Sequence, residues 1–315
     1  MAKFDPFEHL KVRLNHDGSL ERMLAIPKRA ANPQGEDVAS KDITINAQKN
    51  LWVRVYCPKN LPLDNSSISK LPLMIYFPGG GWINQSAADV FYDDWCNQYS
   101  KELPCIIVSV NYRLAPEHRL PAQYEDGMDI IMWVRKQGTD PDGEQWLKTY
   151  ADFSRCYLVG RSCGANLVYN ASLRILDNDI KPLSICGMVL NQPMFGGQKR
   201  TSSELKYACD EVLPLPCWDL MWELALPKGV NRDHRYSNPM MDTPQKNKLN
   251  RLAKCLVIGY GWDPTSDRQQ EFVTTLVKYG AKVEAHFEDV GFHGIDLVDT
   301  KRDHHNLLLI KDFVK

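Results

Sequence analysis

Short apolar and β-branched runs recur along the chain, and most of them are continuous rather than alternating with polar residues. A strand that is buried on both faces of a parallel sheet has this pattern, because helices cover both sides of it. Such runs predict strands at residues 51–57, 73–77, 105–110, 156–159, 188–190, 255–258 and 283–287.

Segments between these runs carry apolar residues at helical spacing. The stripes predict helices at residues 123–136, 165–176, 268–278 and 306–314. Strands that alternate with helices in this way are typical of a doubly wound α/β fold. We therefore expect a mostly parallel central sheet flanked by helices.

Two segments interrupt the alternation, at about residues 1–40 and 196–249. The second contains a stretch rich in Trp, Leu and Pro at residues 213–227. We expect both segments to pack together as a helical cap above the ends of the strands, where α/β folds bind their ligands. The cap and the sheet would form one domain over residues 1–315.

Composition excludes several classes of function. The 315 residues include 38 basic and 39 acidic ones, and no basic stripe stands out, so we expect neither a nucleic-acid partner nor an anionic membrane surface. The sequence shows neither a secretory signal pattern nor an apolar run approaching the ~20 residues of a membrane span. Nine scattered cysteines without a C-x-x-C pair fit a reducing, cytoplasmic location and give no zinc signal. We expect no metal or other cofactor, and a monomer or homodimer.

The strongest chemical motif is GRSCG at residues 160–164, which follows a predicted strand and precedes a predicted helix. G-x-S-x-G in that setting is a nucleophile elbow, whose sharp turn leaves no room for a Cβ at either glycine. The turn would place Ser162 at a helix N-terminus, where the helix dipole favours developing negative charge.

A serine needs a neighbouring base to become a nucleophile, and in this fold the acid and then the histidine follow it along the chain. His293 lies in a Gly-flanked loop after a predicted strand, which favours it over His234, His286, His304 and His305. His286 falls within a strand, His304 and His305 read as surface residues, and His234 lies in the predicted cap with a chance of touching substrate.

The acid of the triad is predicted to be Asp263, which follows the strand at 255–258. A carboxylate there can orient an imidazole and stabilise its cation. Asp267 is the alternative and also suits a helix cap. Asp289 and Asp296 are weaker candidates.

A glycine run, Gly79-Gly80-Gly81, comes directly after another predicted strand. Its backbone N–H groups at Gly80 and Gly81, together with that of Cys163, could hold the oxyanion of a transition state, each donor contributing roughly 2.7–4 kcal/mol. Trp82, Phe91, Trp218 and Trp222 supply aromatic surface for a substrate pocket, or for the core.

The ordered motifs PGGGW, NYRLAPEHRLPA, GRSCGAN, WDPTSDR and GFHG resemble the hormone-sensitive-lipase-like carboxylesterases, in particular those of plants, over nearly the whole chain. The resemblance implies an α/β-hydrolase fold with a cap, no metal, a Ser162–His293–Asp263 triad, and an oxyanion hole from Gly79–Gly81 and Cys163.

Three positions depart from the family pattern: Pro78 replaces a usual histidine, Arg161 a usual acid, and Cys163 a usual alanine. Proline has no N–H but leaves the glycine donors in place. Arg161 would either bind a substrate carboxylate in the pocket or form an ion pair behind it. The Cys163 thiol would be pocket wall.

The leading functional hypothesis is a serine hydrolase that cleaves a carboxylic ester of a small, fairly apolar metabolite. A second is an enzyme of plant specialised metabolism on the same scaffold, repurposed as a cyclase, dehydratase or lyase, which the changes at Pro78 and Arg161 would allow. A third is a small-molecule receptor. Gibberellin receptors resemble this family but lack the triad histidine, so His293 weighs against a receptor.

Overall fold

The computed structural model describes residues 4–61, 63–64, 67–68 and 70–315. The first three residues of the predicted N-terminal cap segment therefore lie outside the described residues.

In chain order, the strands are β1 (Val12–Leu14), β2 (Leu20–Arg22), β3 (Val38–Asn46), β4 (Leu51–Pro58), β5 (Leu63–Asp64), β6 (Ser67–Ile68), β7 (Leu71–Phe77), β8 (Ile106–Asn111), β9 (Ala151–Arg161), β10 (Ile185–Asn191), β11 (Lys254–Tyr260) and β12 (Val283–Glu288). The α-helices are α1 (Pro6–His9), α2 (Val90–Glu102), α3 (Ala122–Gln137), α4 (Gln145–Tyr150), α5 (Cys163–Ile175), α6 (Ser202–Lys206), α7 (Leu215–Ala225), α8 (Thr243–Lys246), α9 (Ser266–Lys278) and α10 (Thr300–Phe313). Short 3-10 helices lie at Pro239–Met241, Leu249–Arg251 and Ile295–Leu297.

The central sheet has eight strands in the order β12-β11-β10-β9-β7-β8-β4-β3. Pairing is parallel from β12 through β8, and β4 is antiparallel to both of its neighbours. Each predicted strand overlaps one strand of this sheet, and each predicted helix overlaps α3, α5, α9 or α10. The mostly parallel, helix-flanked sheet is therefore confirmed.

Alternate side chains of each inner strand enter separate cores on the two faces of the sheet. On β7, Leu73, Ile75 and Phe77 pack on one face with α3, α5 and α9. Met74 and Tyr76 pack on the other face with α2 and α10. Since both faces are covered, the inner strands read as continuous apolar runs. Strand β12 is only partly buried because it lies at the edge.

Strand β3 and helix α2 were not predicted. The first forms the outer edge of the sheet, where half-exposed positions dilute its apolar pattern, and it includes the last residues of the predicted N-terminal cap segment. Helix α2 buries Tyr92, Trp95, Cys96 and Tyr99, an i, i+3, i+4, i+7 stripe among polar residues. That spacing was a usable signal for a helix.

The two segments predicted as a cap contact each other. Helix α1 packs against α7, and the His9 ring lies within hydrogen-bond distance, 3.1 Å, of the Val212 carbonyl oxygen. Arg22 on β2 donates hydrogen bonds to the backbone carbonyls of Ile83 and Ala115, in loops that follow β7 and β8. The N-terminal segment therefore lies at the carboxyl ends of the parallel strands.

Candidate active site

Ser162 occupies the turn between β9 and α5, with φ 54° and ψ −122°. A non-glycine residue with this backbone conformation is strained, and such strain persists where the surrounding structure enforces it. Here the Ser162 N–H donates to the carbonyl oxygen of Asn191 at 2.8 Å, which holds the turn against the end of β10. Ser162 sits directly before the first turn of α5, with its side chain above the sheet.

The two glycines of the elbow leave room for neighbouring backbone. A Cβ on Gly160 would overlap the carbonyl group of Gly164, and one on Gly164 would overlap the carbonyls of Phe77 and Pro78. These contacts are to backbone and not to movable side-chain ends. The turn can therefore form only because both positions lack a side chain.

Replacing Gly164 by alanine is expected to lower the free energy of unfolding by about 3 kcal/mol or more, because backbone must move to admit the methyl group. Gly229→Ala is the matched control: its φ is +85°, and an added Cβ would have no heavy atom within 4 Å. The control should lose only about 1 kcal/mol from its left-handed conformation. Urea unfolding measures both, and equal losses would contradict a crowded elbow.

The His293 ring bridges Ser162 and Asp263. Its Nε2 lies 2.9 Å from Ser162 Oγ, and its Nδ1 lies 2.7 Å from Asp263 Oδ2. A carboxylate can only accept, so Nδ1 carries the proton and Nε2 is left to accept the serine hydroxyl. The three residues are 8%, 9% and 0% exposed in the order Ser162, His293 and Asp263. The structure thus brings the three predicted residues into one buried hydrogen-bonded chain.

Asp263 is held by more than His293. Its Oδ2 also accepts hydrogen bonds from Gln192 Nε2 at 3.0 Å and Gln269 Nε2 at 2.9 Å. Its Oδ1 accepts the backbone N–H and the hydroxyl of Thr265, both at 2.8 Å. Burial by itself raises the pKa of Asp263, but its electrostatic interaction with His293 and the hydrogen bonds from His293 and Thr265 outweigh burial, so the net shift of the pKa is downward. The carboxylate therefore remains ionised.

Gln192 is a residue that the sequence reasoning missed. Its side chain is fully buried, its Nε2 also donates to the carbonyl oxygen of Phe292, and its Oε1 accepts the N–H of Gly294 at 2.8 Å. Gln192 therefore forms hydrogen bonds with the backbone on both sides of His293 and with the Asp263 carboxylate. A usable signal was its place two residues after the predicted strand at 188–190, at the edge of the sheet where Asp263 also lies.

The Pro78–Trp82 loop lies against the elbow, and its N–H groups have different partners. Gly79 donates to the Tyr92 hydroxyl at 3.0 Å, and Trp82 donates to the Cys163 sulfur at 3.3 Å. The N–H groups of Gly80 and Cys163 have no hydrogen-bond acceptor among the described residues. Both of these unoccupied N–H groups belong to predicted oxyanion-hole donors.

The side chains of Tyr112 and Cys163 hold this loop in place. The Tyr112 hydroxyl donates to the carbonyl oxygen of Pro78 at 2.7 Å and lies 3.5 Å from the Cys163 sulfur. Burial raises the pKa of the Cys163 thiol, so the sulfur stays protonated and is not a competing nucleophile. Pro78 therefore takes part in this contact through its carbonyl oxygen.

Helix α7 covers the site. The Trp218 ring meets His293 edge-on with 4.7 Å between ring centroids, and Met221 packs against Gly81. Trp222 lies 6.3 Å from Trp82, centroid to centroid, and both rings are almost completely buried. The three tryptophans predicted for the pocket therefore lie around the candidate site.

Phe91 is placed elsewhere. It packs edge-on against Tyr92 with 4.4 Å between centroids, in the core on the α2 face of the sheet, whereas the three tryptophans belong to the other core. Residue 91 lies in the first turn of α2, and its ring packs against the core on the α2 face of the sheet. The structure does not bring Phe91 together with the tryptophans.

The remaining candidates have other partners. Arg161 forms a buried ion pair with Asp296. Asp267 accepts the N–H of Ser203 at 2.8 Å, and His286 lies 3.1 Å from Glu284. The remaining positions do not reach Ser162: Asp289, His304 and His305 are exposed, and His234 packs against Tyr236.

The described surface also has cavities away from this site. One of about 460 Å³ lies beside Ile175, Pro182 and Leu252, and one of about 430 Å³ lies beside Trp52 and Arg113. A much smaller one, lined by Trp218, Trp222 and Thr265, adjoins the candidate site. The hydrogen-bonded chain of Ser162, His293 and Asp263, and not the size of a cavity, therefore identifies the candidate site.

Among the residues that the structure describes, no three His, Cys, Asp or Glu side chains converge as metal ligands. None of the helices described combines the length and the apolar content that crossing a membrane requires.

Comparison with known proteins places this geometry in a family. A model of the alpha/beta hydrolase fold matches residues 74–297. The chain is 50% identical over 315 residues to probable carboxylesterase 9 of Arabidopsis thaliana, covering 99% of this chain and 97% of the relative. It is 40% identical over 316 residues to 3-O-acetylpapaveroxine carboxylesterase CXE2 of Papaver somniferum, covering 98% and 99% of the two chains.

A solved structure shows the same fold at lower identity. The hyperthermophilic esterase of Pyrobaculum calidifontis superposes with a TM-score of 0.73 at 24% identity, over 88% of this chain and 85% of that one. The fold, the family model and the near full-length relatives agree. The chain belongs to the α/β-hydrolase fold family and, within it, to the carboxylesterase-type hydrolases.

Proposed function

We propose that the protein hydrolyses a carboxylic ester of a small, fairly apolar metabolite through an acyl-enzyme on Ser162. The observation that carries this proposal is the continuous hydrogen-bonded chain from Ser162 Oγ through His293 to Asp263. Such an arrangement is what activates a serine hydroxyl, which is otherwise a weak nucleophile.

In the first half of the reaction, His293 Nε2 takes the hydroxyl proton as Ser162 Oγ bonds to the ester carbonyl carbon. The carbonyl oxygen becomes an oxyanion and accepts hydrogen bonds from the N–H groups of Gly80 and Cys163, with Gly81 beside them. The intermediate collapses as the carbon–oxygen bond to the alcohol breaks, and protonated His293 gives its proton to the leaving oxygen. The alcohol departs and the acyl group remains on Ser162.

In the second half, His293 takes a proton from water as the water oxygen bonds to the acyl carbon. Collapse of this second intermediate breaks the bond to Ser162 Oγ, which recovers its proton from His293, and the carboxylic acid is released. Asp263 stays ionised throughout, holding the ring in one tautomer and stabilising its positive charge.

The surroundings of Ser162 support a short acyl group on an aromatic or otherwise apolar alcohol. Trp218 and Met221 of α7 crowd the space above His293 and Gly81. The Papaver somniferum relative is named for an acetylated compound, 3-O-acetylpapaveroxine. An acetyl or similarly short ester from specialised metabolism is therefore the substrate class we favour.

We also propose that residues about 1–40 and 196–249 act together as the cap over this pocket, within one domain. The contact of α1 with α7 supports this division, since α7 itself covers the site. All nine cysteines are free, which supports a reducing, cytoplasmic location.

The test uses intact-mass labelling with a fluorophosphonate and burst kinetics with p-nitrophenyl acetate and butyrate. The wild type should gain one phosphonyl group and show steady turnover, faster on the acetate. Ser162→Ala should show neither. Cys163→Ala is the matched control: it changes the neighbouring side chain, keeps the backbone N–H, and should still be labelled.

Other outcomes have definite meanings. Labelling of Ser162 without ester turnover would favour a repurposed cyclase, dehydratase or lyase. Absence of labelling in a folded wild type would contradict an activated Ser162 and favour a receptor.

A further inference from the structure

Arg161, the residue directly before Ser162, forms an ion pair inside the protein. Its guanidinium Nη1 contacts Asp296 Oδ1, and the two side chains are 4% and 0% exposed. Among the described residues, this is the hydrogen bond that holds the Arg161 side chain. Because the guanidinium is buried and already paired, it is not presented to a substrate carboxylate.

Asp296 has further partners. Its Oδ2 accepts Asn191 Nδ2 at 2.6 Å and Asn306 Nδ2 at 2.9 Å. Arg161 ends β9, Asn191 ends β10, and Asn306 lies on α10. One carboxylate therefore joins the strand that leads to Ser162, the neighbouring strand and the last helix.

The position of Asp296 relates these contacts to the site. It lies three residues after His293, in the 3-10 helix Ile295–Leu297. The loop that carries His293 is flanked by Gly291 and Gly294, both with positive φ, so the loop's own residues do little to restrict it. The Arg161–Asp296 contact ties this loop to the residue adjacent to Ser162.

A buried ion pair is weak evidence for a stabilising role. Removing two charges from water costs several kcal/mol per ion, and apolar replacements of similar volume are often neutral or stabilising. In some proteins such a pair instead sets the geometry between the two elements that carry it. Here those elements are the ones that carry Ser162 and His293.

We infer that Arg161 and Asp296 form a positioning pair that sets the Ser162–His293 hydrogen bond. The pair acts through these two residues and does not touch substrate. This inference rests on the proposed ester hydrolysis. It predicts that loss of the pair lowers kcat and leaves KM nearly unchanged, because a displacement of about 1 Å at reacting groups can cost on the order of 10²-fold in rate.

The experiment compares Arg161→Met, Asp296→Leu and the double variant with the wild type, using p-nitrophenyl acetate. Each single variant should lose about 10²-fold in kcat with KM within about twofold, and should melt at a lower temperature because it strands a buried charge. The double variant should recover melting temperature only in part, because it strands no charge but still deprives Asn191 and Asn306 of an acceptor, and it should not recover kcat. Arg161→Lys, which keeps the charge, should retain more kcat than Arg161→Met.

Arg54→Met is the matched control. Arg54 is 1% exposed and pairs with Asp93, which is 2% exposed, on a strand three positions from β9 in the sheet. It should lower the melting temperature while leaving kcat nearly unchanged. Recovery of kcat together with stability in the double variant would overturn the inference, as would a change in KM alone.

Hydrogen exchange separates this inference from the proposed function. In Arg161→Met, backbone amides of residues 291–298 should exchange faster than in the wild type, and in Arg54→Met they should not. This readout needs no ester turnover. If the wild type were inactive but loop exchange were faster in Arg161→Met, the proposed hydrolysis would be rejected and the positioning pair would stand. Unchanged exchange in Arg161→Met would reject the positioning pair.

Discussion

Changing His293 to glutamine is expected to lower kcat for p-nitrophenyl acetate by about 10⁶-fold, with little change in KM. In a serine hydrolase, removal of the histidine alone costs about as much as removal of the whole triad, because the serine then has no base. Glutamine keeps polar atoms near Ser162 but cannot take a proton and later return it. The measurement is steady-state turnover, with fluorophosphonate labelling as the second readout.

The control for His293 comes from the other downstream histidines. His305 is exposed on α10, and His286 is partly exposed on β12 beside Glu284. His305→Gln and His286→Gln should each keep kcat within about twofold of the wild type. If His293→Gln retained a tenth of wild-type kcat, general-base catalysis by His293 would be rejected.

Changing Asp263 to asparagine is expected to lower kcat by about 10⁴-fold. An amide nitrogen placed toward His293 Nδ1 would donate where the carboxylate accepts, which favours the tautomer that has its proton on Nε2. That tautomer cannot accept the Ser162 hydroxyl. Asp267→Asn is the matched control, since Asp267 binds the N–H of Ser203 and should not affect kcat by more than about twofold.

The lowered pKa of Asp263 predicts that the free energy of unfolding depends on pH. Its pKa is lower in the folded protein than in the unfolded chain, so its contribution is fully present above the unfolded value of about 3.9 and is lost as pH falls through the lower folded value. The amount by which the unfolding free energy of the wild type exceeds that of Asp263→Asn should therefore shrink as pH falls through the acid range. Urea unfolding at a series of pH values measures it, and a difference that grew in acid would contradict the lowered pKa.

Local signals in the sequence were sufficient for the sheet and for the residues around Ser162. The inner strands are apolar along their whole length because both of their faces are covered, and this leaves a strong pattern even in a single sequence. The elbow is equally local, since Gly160 and Gly164 are required by backbone within a few residues or on the adjoining strand. His293 and Asp263 could be predicted because parallel strands bring their carboxyl ends to one edge of the sheet.

Other features depend on contacts between residues far apart in the chain. Gln192 contacts Asp263 and the backbone around His293, which lie 71 and about 100 residues further along the chain. The spacing of residues in the sequence does not predict such a contact. Phe91 and the tryptophans are equally aromatic, and only their places on opposite faces of the sheet separate them.

Arg161 shows most directly which features the sequence determined and which the tertiary structure decided. By itself, the sequence determined the α/β fold, the nucleophile elbow and the three residues that meet there, because these follow from short-range patterns and from the geometry of parallel strands. It left Arg161 open between a substrate contact and an ion pair. Only the tertiary structure decided between them, because the partner, Asp296, lies 135 residues away and the low exposure of both side chains arises from packing between elements far apart in the chain.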